Sequence, residues 1–136
     1  MLSTMDPLSE PFHWPDGGVT RIPYRLYADG EIYALEQQRI FRGPVWNFLC
    51  LEIDIPNPGD FKTSTVGEIP VIVTRDENGD VHAMVNSCAH KGALVCLKTR
   101  GNAKALTCVY HNWVYGLKGE LQTDVRLKFL GKNDRF

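Results

Sequence analysis

Neither sign of charge dominates this 136-residue chain: 15 Lys and Arg stand against 16 Asp and Glu, a net charge of −1. Without a basic excess there is no polyelectrolyte attraction to nucleic acid or to an anionic membrane, so partners are expected among proteins and small molecules. Long apolar runs are also missing, and nothing approaches the length of a membrane-spanning helix. Met1-Leu2-Ser3-Thr4-Met5-Asp6-Pro7 has neither the basic region nor the apolar stretch of an export signal, so a cytoplasmic location is expected. No repeat or low-complexity tract is present. The length suits one core that buries about two-thirds of the unfolded surface, with no room for a second full domain.

Histidine and cysteine are scarce, four of each, and half of each fall into two short motifs. Cys88-Ala89-His90 is a Cys-x-His motif, and Cys108-Val109-Tyr110-His111 is Cys-x-x-His, with seventeen residues between His90 and Cys108. Two thiols and two imidazoles in matched pairs imply a metal. A structural zinc site uses the same residue types, but zinc fingers favour a Cys pair followed by a His pair, whereas here the two types are interleaved. A Cys88–Cys108 disulfide is formally allowed and would leave both histidines unexplained. Cys50 and Cys96 are left over and are expected as free core thiols in a reducing compartment. His13, in a proline-rich arm, is expected to be solvated, and His82 to be a satisfied structural histidine.

The pattern along the chain predicts an all-β fold preceded by one short helix. Pro7, Pro11, Pro15 and Pro23 mark an extended lead-in onto which Phe12 and Trp14 are placed to dock. Asp29 and Glu31 suit a helix N-terminus, and Tyr33, Leu35, Ile40 and Phe41 form an apolar stripe that stops at Arg42-Gly43-Pro44. This predicts a helix over about 30–41. Strands are expected at 45–53, 61–66, 70–75 and 81–86, with Glu77-Asn78-Gly79-Asp80 closing a hairpin. Beyond them, 94–98 is read as a strand, Gly101-Asn102 as a turn, 104–107 as a lead into the second motif, and 113–121 as a hairpin around Lys118-Gly119. The motifs then sit at hairpin tips. Gly92 lies where the backbone must pass close to a metal centre and N–H groups are available to donate to sulfur.

The four motif residues and their neighbours resemble the Rieske proteins. That resemblance implies a Rieske-type antiparallel β-sandwich and one [2Fe–2S] cluster, held by Cys88 and Cys108 on one iron and by His90 and His111 on the other. Two ferric ions, two sulfides and two thiolates sum to zero, whereas four thiolates would leave the oxidised cluster at minus two. An incoming electron therefore meets less repulsion, and Rieske potentials lie at roughly −150 to +300 mV against roughly −400 mV for plant-type ferredoxins. Both irons are coordinatively full, so the cluster moves single electrons and binds neither oxygen nor substrate.

The neighbours separate two branches of the family. Rieske proteins of cytochrome bc complexes place a bracing cysteine where this chain has Tyr110 and a serine donor where it has Trp113. Only Tyr115 keeps a hydroxyl donor, so a potential near the low end of the range is expected. The remaining motifs resemble the N-terminal Rieske domain of large (α) subunits of ring-hydroxylating oxygenases. They run from Glu31–Phe41 and Trp46 through Gly59-Asp60-Phe61, Pro70-Val71-Ile72 and Arg75 to Asn86-x-Cys88-x-His90-x-Gly92, then Gly101–Ala105 and Cys108–Tyr115. Lys91 stands in place of the usual arginine and Asn112 in place of the usual glycine, the latter as in the salicylate hydroxylase and anthranilate dioxygenase group.

The resemblance implies three segments: an arm and helix at 1–44, the Rieske domain at 45–123, and a divergent tail at 124–136. It implies a ferredoxin or reductase as electron donor and an oxygenase catalytic subunit or domain as acceptor, with no nucleic acid and no membrane. Family members hold a mononuclear iron with two histidines and a carboxylate. After the cluster takes its pair, only His13 and His82 are left, so no catalytic residues are assigned and oxygenation by these 136 residues alone is not expected. The similarity ends near Gln122, as in a truncated or frame-shifted product. A free-standing Rieske ferredoxin is the other function considered, and the 28–44 helix, which such ferredoxins usually lack, speaks against it.

Overall fold

A computed structural model describes residues 13–16 and 18–123. Residues 1–12 of the proline-rich arm, Phe12 among them, Gly17 and the 124–136 segment lie outside the described residues. The chain divides between Asn47 and Phe48 into two compact units.

In the first unit His13 is exposed and Trp14 half-exposed. A short helix, α1 (Arg25–Ala28), leads into α2 (Gly30–Glu36). Asp29 stands between them in an extended conformation, and its carboxylate accepts from the N–H groups of Glu31 (2.8 Å) and Ile32 (3.3 Å). This satisfies two of the orphan donors at the start of α2. Arg25 Nε also donates to this carboxylate, and that bond comes first among the causes that hold Asp29 below the ordinary carboxylate range. The predicted 30–41 helix is regular only to Glu36. Gln37–Phe41 widens into a π turn in which Arg42 N–H reaches the Gln37 carbonyl at 2.9 Å, five residues back.

The second unit holds two antiparallel sheets. One has the order β3-β2-β1-β4, from β1 (Asp60–Val66), β2 (Ile69–Arg75), β3 (Val81–Val85) and β4 (Arg100–Asn102). The other has the order β5-β6-β7, from β5 (Leu106–Thr107), β6 (Val114–Tyr115) and β7 (Leu121–Thr123). Phe61 and Ile72 of the first sheet and Leu106 and Tyr115 of the second share one buried cluster with Val95, Cys88 and Cys108. The sandwich expected from the resemblance is present, and both motif cysteines are part of its core.

Three expectations are corrected. Residues 45–53 form no strand: 46–51 are irregular and Glu52–Asp54 is a 3₁₀ turn. Apolar density suggested a strand there, yet Trp46, Phe48 and Ile53 are exposed, and Asp54 turns the chain by accepting from Leu51 N–H at 3.0 Å. Gly101-Asn102 is no turn, because it belongs to β4 and pairs Phe61 with Gly101 and Asp60 with Asn102. The glycine makes room, since a Cβ at 101 would lie 2.7 Å from Cζ of Phe61. Residues 94–98 are irregular, held by side-chain bonds from Asn86 instead of a ladder.

The β2–β3 turn is built on Asp76, which has no exposed surface. Its Oδ1 accepts from the N–H groups of Asn78 and Asp80, both at 2.9 Å, and Oδ2 lies 2.9 Å from His82 Nε2 and 3.0 Å from Lys118 Nζ. His82 is thus the satisfied structural histidine expected from the sequence. A buried carboxylate is tolerated only when paired and hydrogen-bonded, and here four donors meet two oxygens. The His82 bond comes first among the causes that hold Asp76 well below the ordinary value of 3.8.

The folded value lies below the unfolded one, so the stabilisation is complete above the ordinary carboxylate range and is lost as pH falls through the folded value. Asp76→Asn is expected to lower the melting temperature at neutral pH and to flatten the rise of stability with pH at the acid end, measured by thermal unfolding across a pH series. An unchanged acid limb would refute this.

Candidate metal centre

Each motif opens a loop between strands, and the two loops share one hydrogen-bond frame. In the first, Cys88 N–H donates to Ala93 O and Gly92 N–H donates back to Cys88 O, both at 2.8 Å. In the second, Cys108 N–H donates to Trp113 O and Asn112 N–H donates back to Cys108 O, both at 2.9 Å. The fourth residue after each cysteine closes the turn with positive φ, +71° at Gly92 and +58° at Asn112. Asn112 is the described non-glycine residue in this region, and asparagine tolerates it better than most side chains do. That accounts for the substitution noted in the sequence.

The base of the first loop is pinned by Asn86, which is buried. Its amide donates to Cys96 O and accepts from Cys96 N–H, both at 2.8 Å, as a strand partner would. Its own N–H donates to Pro70 O of β2 at 2.8 Å. Loss of such a doubly bonded buried amide costs about 1–3 kcal/mol for each group left unsatisfied.

The four motif residues come together in two pairs. Cys88 and Cys108 are buried, at 3% and 1% exposure, and lie within hydrogen-bond reach of each other. The rings of His90 and His111 meet edge to face, with centroids 4.5 Å apart. His90 is half-buried, with its Nδ1 shielded from water, and its ring stacks on Trp113 at 4.9 Å. His111 is exposed and lies against Tyr110 at 3.8 Å. All four cysteines are free thiols, so the disulfide alternative is not realised. Cys50 and Cys96 are half-buried, Cys96 against the core cluster, and burial raises the Cys50 thiol above its ordinary value.

Burial also pushes Cys88 up, but the Tyr115 hydroxyl, the His90 N–H, the Cys108 thiol and the Lys91 N–H together bring it below its ordinary value. Tyr115 Oη accepts from Ala89 N–H at 3.0 Å, which leaves its proton to donate to Cys88 Sγ at 3.2 Å. The Tyr115 hydroxyl and the N–H groups of His90 and Lys91 are thus aimed at the Cys88 sulfur. Burial and the bond to Cys88 raise the tyrosine.

Among the described residues, no three His, Cys, Asp or Glu side chains gather into a set for one metal ion. A tetrahedral zinc site needs four donors around one point. A binuclear cluster needs only two pairs, one on each iron, and pairs are what the loops provide. The donor set fits a [2Fe–2S] group.

The chain belongs to the Rieske [2Fe-2S] domain family, whose match covers residues 45–128, and its cofactor is a [2Fe–2S] cluster. It is 53% identical over 109 residues to the anthranilate 1,2-dioxygenase large subunit of Burkholderia cepacia, covering 80% of this chain and 26% of that protein. It is 44% identical over 109 residues to the large oxygenase component of salicylate 5-hydroxylase from a Ralstonia species, with the same shares covered. A naphthalene 1,2-dioxygenase variant crystallised with phenanthrene superposes with a TM-score of 0.72 at 38% identity, over 77% of this chain and 23% of that one. The chain thus spans about a quarter of the length of the curated relatives it matches. No helix among the described residues is long and apolar enough to cross a membrane.

The positive φ at residue 112 makes a graded prediction. Asn112→Gly should leave stability unchanged or slightly raised, whereas Asn112→Val, which forces a β-branched residue into the left-handed region, should cost about 1–2 kcal/mol and reduce cluster retention. Urea unfolding of the two variants checks the order, and equal stability would refute it.

Proposed function

We propose that Cys88 and Cys108 hold one iron and His90 and His111 the other, and that the chain is the electron-transfer part of an aromatic-ring-hydroxylating oxygenase large subunit. The supporting observation is the pair of equivalent loops that buries two thiols in one core cluster and joins two imidazoles edge to face. A [2Fe–2S] centre supplies one-electron transfer and no open coordination position.

The remaining parts are supplied by this chain's residues. The core packed around Cys88 and Cys108 excludes water from both sulfurs, and the Tyr115 hydroxyl withdraws charge from Cys88. His111 reaches the surface beside the exposed Tyr110 and Val109, which makes that edge the exit for an electron. A ferredoxin or reductase is the donor in this reading, and an oxygenase catalytic domain carrying mononuclear iron is the acceptor. The relatives are named for aromatic compounds, among them anthranilate, terephthalate, salicylate, chlorobenzene and biphenyl. An oxygenase assembled around this chain would act on an aromatic ring, with selection among such compounds residing in the catalytic domain.

Purified from an iron-replete host, the 136-residue chain is expected to carry two iron and two acid-labile sulfide. It should accept electrons from a reductase and pass them to cytochrome c, and show no oxygen uptake coupled to ring hydroxylation. Oxygen activation needs an iron with open positions, and after the two motif histidines only His13 and His82 are left for one. One zinc per chain without visible absorbance, or hydroxylation by this chain alone, would overturn the reading.

A further inference from the structure

Tyr115 delivers its proton to Cys88 from a weak support. Its strand, β6, is two residues long, and its pairing with β7 is irregular between Val114 and Tyr115. So short a ladder does not fix the height of a side chain in the core. The support comes from the opposite sheet. Ile72, Thr74 and Asp76 alternate along β2 and its extension, so they point to one face. Ile72 shares the core cluster with Tyr115. Thr74 Oγ1 donates to Leu117 O at 2.5 Å, and Asp76 Oδ2 holds Lys118 Nζ at 3.0 Å. Neither Thr74 nor Asp76 has exposed surface, and the bond to Leu117 joins residues 43 apart in sequence. The Asp76 turn is already closed by Asn78, Asp80 and His82, so the Lys118 contact is an addition that serves the other sheet.

We propose that Thr74 and Asp76 are positioning residues for the cluster: through Leu117 and Lys118 they hold the Tyr115 hydroxyl at bonding distance from Cys88 Sγ, and so set the reduction potential. The inference rests on the reading of Cys88 as a cluster ligand. A hydrogen bond to a ligand sulfur stabilises the more negative, reduced cluster and raises the potential. Loosening the support therefore lowers it.

The sign separates this route from a simple field effect. Thr74→Val changes no charge, so a field effect predicts no shift. Asp76→Asn removes a negative charge, so a field effect predicts a higher potential, whereas lost positioning predicts a lower one. The test is a redox titration, followed by electron paramagnetic resonance, of the cluster-loaded full chain. The set is wild type, Thr74→Val, Thr74→Ser, Asp76→Asn, Tyr115→Phe and the Thr74→Val/Tyr115→Phe double variant.

Tyr115→Phe is expected to lower the midpoint, with Thr74→Val and Asp76→Asn lowering it by part of that shift. Thr74→Ser should restore it, and Thr74→Val should add nothing on the Tyr115→Phe background. A Thr74→Val midpoint equal to wild type, a rise in Asp76→Asn, or a Thr74→Val shift that persists without the tyrosine hydroxyl would overturn the inference alone. Should Thr74→Val fail to fold, Lys118→Met, at a side chain 45% exposed, is compared with and without the tyrosine hydroxyl in the same way. An unchanged midpoint in Tyr115→Phe would overturn this inference alone, whereas a cluster retained with unaltered spectra in Cys88→Ala would overturn the reading of Cys88 as a ligand, and this inference with it.

Discussion

Two thiols buried next to each other are the constraint from which the rest of the second unit follows. Cys88 and Cys108 occupy the position that a pair of aliphatic side chains would take between two sheets, in contact with Phe61, Ile72, Leu106 and Tyr115. A reactive pair is kept there by rigid surroundings. Each cysteine is locked by the N–H and C=O bonds of its own loop, and each loop is closed by a residue with positive φ. The first loop emerges from β3, which pairs with β2, a strand buried on both faces, and the second from β5, which pairs with β6. Few of these parts can move without shifting a sulfur.

Charge is handled by the same economy. The sulfur environment offers the Tyr115 O–H and the His90 and Lys91 N–H groups as donors to Cys88. These hydrogen bonds outweigh the opposing push of the dry core and favour thiolate at Cys88, the form that binds metal. The histidines are placed differently. His90 is stacked and half-buried, whereas His111 is exposed, which gives the site one anchored and one outward-facing imidazole. An electron-transfer centre needs this asymmetry, with a dry interior that holds the group and one edge that meets a partner.

Local features were legible in the sequence, and features made by distant contacts were not. The Cys-x-His and Cys-x-x-His spacing named the residues that the fold brings together, and the β-branched runs named β1 to β3, because these signals lie within a few residues of one another. Gly101-Asn102 was misread because a glycine that admits the ring of Phe61 looks the same in sequence as one that turns the chain. The apolar run at 45–53 was misread because its side chains face outward without a ladder partner. Asn86 was visible as part of a motif, but its two bonds to Cys96 were not. The bond from Thr74 to Leu117 leaves no local trace at all.

The ligand assignment is tested most directly by pulsed electron paramagnetic resonance of the dithionite-reduced protein. Imidazole nitrogens bound to the reduced iron couple to the electron spin, and hydrogen-bonded backbone nitrogens couple far more weakly. The account predicts strong coupling from two histidine nitrogens in the wild-type chain, and from one in whichever of His90→Cys and His111→Cys retains a cluster. Two strong couplings surviving in either variant, or none in the wild type, would contradict it.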